Sequence, residues 1–184
     1  MSGQLNQIRP PVRPLAESEI VFPNKFRLPD GAKIVPSKPP EIIDMLTTAY
    51  SMELETVMNY LANSINLDGV RAEEIKKSLA ADITAEIGHA QQLGHRIKQL
   101  GGQVPGSLGV KLGNQAQPSA TTTDVVAVIK GVIAAEDAAC KQYKKIILGT
   151  DGDDFVTQDL CIRIMADEEE HLILFKGFLK EYTS

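Results

Sequence analysis

Six side chains carry the chemistry legible in this sequence. Glu86-x-x-His89 and Glu168-x-x-His171 each put a carboxylate and an imidazole three residues apart, on one face of a helix. Both pairs sit in apolar stripes, Leu79, Ile83, Ala90, Leu93 and Ile97 around the first and Leu160, Ile164, Leu172 and Phe175 around the second. Glu169 and Glu170 point away from that face. Two more carboxylates occupy core positions. Glu53 lies in the stripe Ile42, Leu46, Ala49, Tyr50, Val57, Tyr60, Leu61, and Glu136 in Val125, Val128, Ile129, Val132, Ala139, Cys140, Tyr143, Ile147. A carboxylate buried without a partner is costly, and a cation is the obvious partner. Four carboxylates and two neutral imidazoles carry a charge of −4, which two divalent cations neutralise. Mixed carboxylate and histidine ligation suits iron or manganese better than calcium, and zinc more often takes fewer carboxylates.

Four helices position these groups. The first starts at Pro40-Glu41 and runs to about residue 66. The short turn Leu67-Asp68-Gly69 makes the second, about 71–100, its antiparallel neighbour, stopped by Gly101-Gly102. Residues 101–123, rich in Gly, Pro, Ser, Thr and Gln, show no period. Extended, they reach up to about 75 Å, against roughly 40 Å for the second helix, so they suffice to return the chain along the whole bundle. The third helix is capped at Thr123 or Asp124 and ends at Gly149; residues 151–154 cap the fourth, which runs to about residue 182. The predicted class is all-α, a four-helix bundle over 41–184 with a long lengthwise crossover. Glu53 to Glu86 spans 33 residues and Glu136 to Glu168 spans 32, while Tyr60 and Tyr143 each follow their Glu by seven. This is a duplicated two-helix unit, with the four carboxylates at one level. Glu55 turns roughly 200° away from Glu53.

At these residues the chain resembles the ferritin-like di-metal carboxylate proteins, and looks most similar to bacterioferritin and the Dps-like ferritins. The resemblance implies a ferritin-like fold with Glu53 and Glu136 as terminal ligands, Glu86 and Glu168 bridging two metals, and His89 and His171 completing them. It implies two iron ions, with manganese as the other candidate. The activity implied is oxidation of Fe(II) by O2 or H2O2, for iron storage or protection from oxidants. A rubrerythrin-like peroxidase or a di-manganese catalase shares the ligand set, and a structural metal-binding bundle is the non-catalytic alternative. The Glu-to-Tyr spacing on the first helix also looks like that of bacterioferritin, which implies that Tyr60 lies near the site. Where bacterioferritin has a haem-binding Met, this chain has Ile87, so no haem is expected. An acidic residue often precedes the bridging Glu and holds the opposite histidine: Asp167 fits, Ala85 does not, and Asp82, one turn earlier, is a weak substitute. Without a fifth helix, the expected homo-oligomer is a 12-subunit shell or a dimer.

Cys140 and Cys161 fall on inner faces, at levels about 4–5 Å apart along the bundle. Buried cysteine usually serves as a small apolar side chain. A cysteine pair beside the metals resembles the thioferritin subclass, which implies a redox role for both. His95 is off the metal face.

The rest of the composition narrows the class. Of 184 residues none is Trp, and the net charge is −5. Residues 1–40 hold eight of the ten prolines and six basic against three acidic residues, an N-terminal arm at +3 that leaves −8 for the bundle. The arm's basic residues form no dense cluster, so nucleic acid is not an expected partner. No apolar run is long enough to span a bilayer and no signal-peptide core is evident, so a cytoplasmic location is expected, with no membrane partner.

Overall fold

The computed structural model describes residues 39–113 and 115–184. The arm expected over 1–40 therefore falls outside the described residues, except for Pro39 and Pro40. These open the first helix, where a missing N–H costs nothing. Among the described residues there are four α-helices, α1 (Pro39–Asn66), α2 (Glu73–Gln99), α3 (Val125–Gly149) and α4 (Phe155–Thr183). Among the described residues a single 3-10 turn, Val70–Ala72, leads into α2, and there is no strand. The observed architecture of these residues is thus all-α, four helices with a long connection between α2 and α3.

Local chemistry sets the helix ends. Asp124 caps α3 by accepting from the Ala127 N–H at 3.0 Å, and Asp154 caps α4 by accepting from the Thr157 N–H at 3.0 Å. The Asp154 cap is tied to α2, because the Arg96 guanidinium donates to it at 2.7 Å and to Thr157 Oγ1 at 2.8 Å. At the end of α2 the Gly101 N–H bonds to Lys98 O (3.1 Å) and the Gly102 N–H to Ile97 O (2.9 Å). Gly101 takes φ +85°, a left-handed conformation that favours glycine. A Cβ on Gly102 would lie 2.9 Å from Ile97 and 3.0 Å from Ile43, so the chain leaves the helix against its own core.

The crossover follows α1 from end to end. Along it, the Lys111 N–H meets Ser51 Oγ, Gln115 Nε2 donates to Thr56 Oγ1 at 2.8 Å, and the Asp68 N–H donates to Thr122 O at 2.8 Å. Glu55 is the clamp. It faces away from Glu53, as its angle on α1 requires, yet it is only 4% exposed because the crossover lies over it. Its carboxylate accepts from the backbone N–H groups of Gly113 (2.7 Å) and Gln115 (3.4 Å).

Two apolar clusters fill the bundle, one at each end. One holds Ile42, Leu46, Leu93, Ile97, Tyr143 and Ile164, the other Tyr60, Ile75, Leu79, Ile129, Val132 and Phe175. Burying each large side chain contributes roughly 1.5–3 kcal/mol. The clusters leave a layer between them, and that layer is polar. Helices α1 and α2 pack closely, as do α3 and α4, and α1 packs on α3, whereas α2 and α4 meet sparsely. Leu61, expected in the inward stripe, is 49% exposed. It lies about 100° round α1 from the buried Tyr60, at the edge of the stripe.

Candidate metal centre

All six side chains singled out from the sequence occupy the layer between the two clusters. Glu53, Glu86, His89, Glu136 and Glu168 are buried, and His171 is half-buried. They fall into two groups: Glu53, Glu86, His89 and Glu168 in one, and Glu86, Glu136, Glu168 and His171 in the other. Within each group the facing atoms lie within 4.8 Å of one another. Metal–ligand bonds of about 2.0–2.2 Å put neighbouring ligand atoms about 3–4 Å apart, so each group is sized for one ion.

The orientation of the oxygens divides the work. His89 Nδ1 stands 3.0 Å from Glu168 Oε1, 3.5 Å from Glu86 Oε2 and 3.7 Å from Glu53 Oε2. His171 Nδ1 stands 3.4 Å from Glu86 Oε1, 3.4 Å from Glu168 Oε2 and 3.8 Å from Glu136 Oε1. Glu86 and Glu168 thus each turn one oxygen to either imidazole, whereas Glu53 and Glu136 each serve one side. The Tyr143 hydroxyl donates to Glu53, and the Tyr60 hydroxyl to Glu136. Each tyrosine therefore anchors the carboxylate of the other half of the duplication. The seven-residue spacing signalled both tyrosines, but the exchange across halves depends on how α1 packs on α3.

The layer fits cations. Among the described residues, Glu86 Oε1, both Glu168 oxygens, His89 Nδ1 and His171 Nδ1 are buried and make no hydrogen bond. Leaving such groups unsatisfied is expensive, and lone pairs converging from carboxylate and imidazole are the donor set of iron or manganese. Without metal, protons must do the neutralising. Burial, reinforced by Glu86, pushes the Glu53 carboxyl well above its ordinary value. Burial and the charges of Glu168 and Glu86 push Glu136 up to about 9. Burial opposes charge on His171, but the Glu168 and Glu86 carboxylates outweigh it and raise the imidazole to about 11. His89 is raised in the same way, burial again being overcome, by Glu168, Glu53 and Glu86. Glu86 and Glu168 are held low despite burial, Glu86 by Glu53 and both imidazoles and Glu168 by the imidazoles.

Behind His89 stands Asp167, as the resemblance implied: His89 Nε2 and Asp167 Oδ2 form a 3.2 Å hydrogen bond. His95 is exposed on the outside of α2. Both cysteines are free. Cys161 is fully buried in the apolar cluster that holds Tyr143, while Cys140 is half-buried. Burial and the Asp154 charge push the Cys161 thiol up to about 12. Burial followed by the charge of Glu168 pushes Cys140 up to about 11.

A four-helix bundle with a carboxylate–histidine layer at mid-height defines a class, and the sequence places the chain within it. A profile of the ferritin-like domain matches residues 43–183, and the chain belongs to the ferritin-like family. Among curated relatives, a bacterioferritin of Desulfovibrio desulfuricans is 28% identical over 139 residues, covering 74% of this chain and 73% of the relative. Among solved structures, a dodecameric thioferritin, the bacterioferritin-related protein of Bacteroides fragilis, superposes with a TM-score of 0.74 at 24% identity. That likeness covers 79% of this chain and 88% of the thioferritin. The X-ray structure of the Desulfovibrio desulfuricans bacterioferritin, which has a diiron site, gives a TM-score of 0.69 at 25% identity, over 79% and 81% of the two chains. No helix among the described residues is long and apolar enough to cross a membrane.

Proposed function

We propose that this chain is a ferroxidase that takes Fe(II) as substrate, two ions at a time, and oxidises it with O2 or H2O2 for iron storage or protection from oxidants. The observation that carries this reading is the set of buried, unpartnered ligand atoms in two groups sharing Glu86 and Glu168. Such sharing would hold two ions close enough to deliver two electrons together, matching reduction of O2 to H2O2, or of H2O2 to two waters, with uptake of two protons.

The chain's own groups supply the rest. Glu53 and His89 would hold one ion, Glu136 and His171 the other, and Glu86 and Glu168 both. Tyr143 and Tyr60 fix the two terminal carboxylates, and the apolar clusters on either side keep bulk water out. Access is from the α2–α4 side, where His171 is the most exposed of the six and Asp167 is largely open to solvent. Cys140 and Cys161 enter this reading as packing residues. Burial pushes both thiols up, to about 11 and about 12, which disfavours the thiolate that attacks peroxide. Self-assembly is part of the proposal, with a 12-subunit shell ahead of a dimer. It is supported by the row Met58, Leu61 and Ile65, which the single chain leaves exposed on α1.

Stopped-flow mixing of the metal-free protein with Fe(II) and oxidant tests the activity. A fast phase consuming two Fe(II) per chain is expected, and Glu168→Ala should reduce the rate to that of protein-free iron. Equal rates with and without the wild-type protein would exclude a ferroxidase.

A further inference from the structure

The two halves differ in what stands behind their imidazoles. His89 is held by Asp167, the residue directly before Glu168. The matching position before Glu86 is Ala85, which has no carboxylate. His171 Nε2 instead faces Asp82, one helical turn before Glu86, with Oδ1 at 3.9 Å. That is beyond hydrogen-bond reach. Asp82 is nevertheless aimed into the gap between α2 and α4, its side chain 12% exposed against 60% for Asp167. Its second oxygen, Oδ2, is buried with no hydrogen-bond partner. A buried, unsatisfied carboxylate facing an imidazole N–H has one inexpensive remedy, a shift of about 1 Å that closes the hydrogen bond.

We propose that Asp82 is the positioning residue of His171, standing in for the acid missing at residue 85, and that it makes the two metal positions unequal. This rests on the two-ion reading above. His89 is already oriented, its Nε2 3.2 Å from Asp167 and its Nδ1 turned to the carboxylates that would share its ion. His171 is not, so the Glu136–His171 position must close the Asp82 contact as it fills. Part of its binding energy goes into that ordering, and it fills second. Carboxylates behind metal-bound histidines fix the tautomer and ring orientation, and their loss costs about 10–100-fold in metal affinity. Asp82 touches neither ion in this account and acts only through the imidazole.

Anaerobic titration of the metal-free full chain with Co(II), followed by its visible absorption, reads the two positions without turnover. Wild type fills in two steps. Asp82→Asn weakens the second step by about 10–100-fold and leaves the first in place, while Asp167→Asn weakens the first. Ala85→Asp, which restores the acid at the duplicated position, tightens the second step and guards against Asp82→Asn failing through misfolding. An unchanged second step in Asp82→Asn, or equal weakening of both steps, would overturn the role of Asp82 while leaving the two-ion site intact. Wild type that binds no Co(II) would overturn the two-ion reading as well.

Discussion

Fe(II) or Mn(II), added without oxygen, is expected to raise the melting temperature of the metal-free protein by about 10 °C or more. The size follows from linkage. With free metal at about 100 times its dissociation constant, each position adds about 2.7 kcal/mol, and two add about 5 kcal/mol. For a chain of this size 1 kcal/mol is worth about 2–4 °C. The physical source is the layer itself. Five buried ligand atoms that make no hydrogen bond within the chain would gain partners when the ions bind. Glu86→Ala combined with Glu168→Ala removes both shared carboxylates and should abolish the rise. An unchanged melting temperature on adding metal to wild type would count against a buried two-ion site.

The second large effect is on pH. Glu136 at about 9, His171 at about 11, and the raised Glu53 and His89 hold up to four protons in the metal-free site. Two divalent ions replace them, up to two protons per ion, so apparent affinity should rise by up to about 100-fold per ion for each pH unit. Stability of the metal-free protein moves the other way. The folded-state pKa of Glu136 lies above its ordinary 4.5, and that of His171 above 6.5, so the folded chain binds more protons than the unfolded one. The Glu136 contribution is complete below about 4.5 and is lost as pH rises through about 9. The His171 contribution is complete below about 6.5 and is lost as pH rises through about 11. The melting temperature of the metal-free protein should therefore fall from pH 6.5 to 9, while that of the metal-loaded protein should not. Calorimetric titrations in buffers of different ionisation enthalpy count the protons directly, and binding that released none would contradict these charge states.

How much of this was legible in advance depends on the range of the interaction. Glu53, Glu86, Glu136 and Glu168 stood out because each interrupts an apolar stripe, and helical period alone puts such a residue on the inner face. Asp124, Asp154 and Gly101-Gly102 marked helix ends through bonds spanning only three to five residues. Glu55 shows where period stops informing. Its angle on α1 was right, yet its burial comes from a crossover whose path no local pattern encodes. Leu61 fails in the opposite sense, exposed at the edge of the stripe beside the buried Tyr60. The tyrosine exchange, the depth difference between Cys140 and Cys161, and the 3.9 Å spacing of Asp82 from His171 all depend on how two helices sit against each other.

The most direct test of the central claim is anomalous diffraction from crystals of the protein loaded with Mn(II) without oxygen. Two peaks are predicted between the apolar clusters, one touching Glu53 and His89, the other Glu136 and His171, with Glu86 and Glu168 reaching both. A single peak in that layer, or manganese found only at exposed carboxylates, would contradict the account.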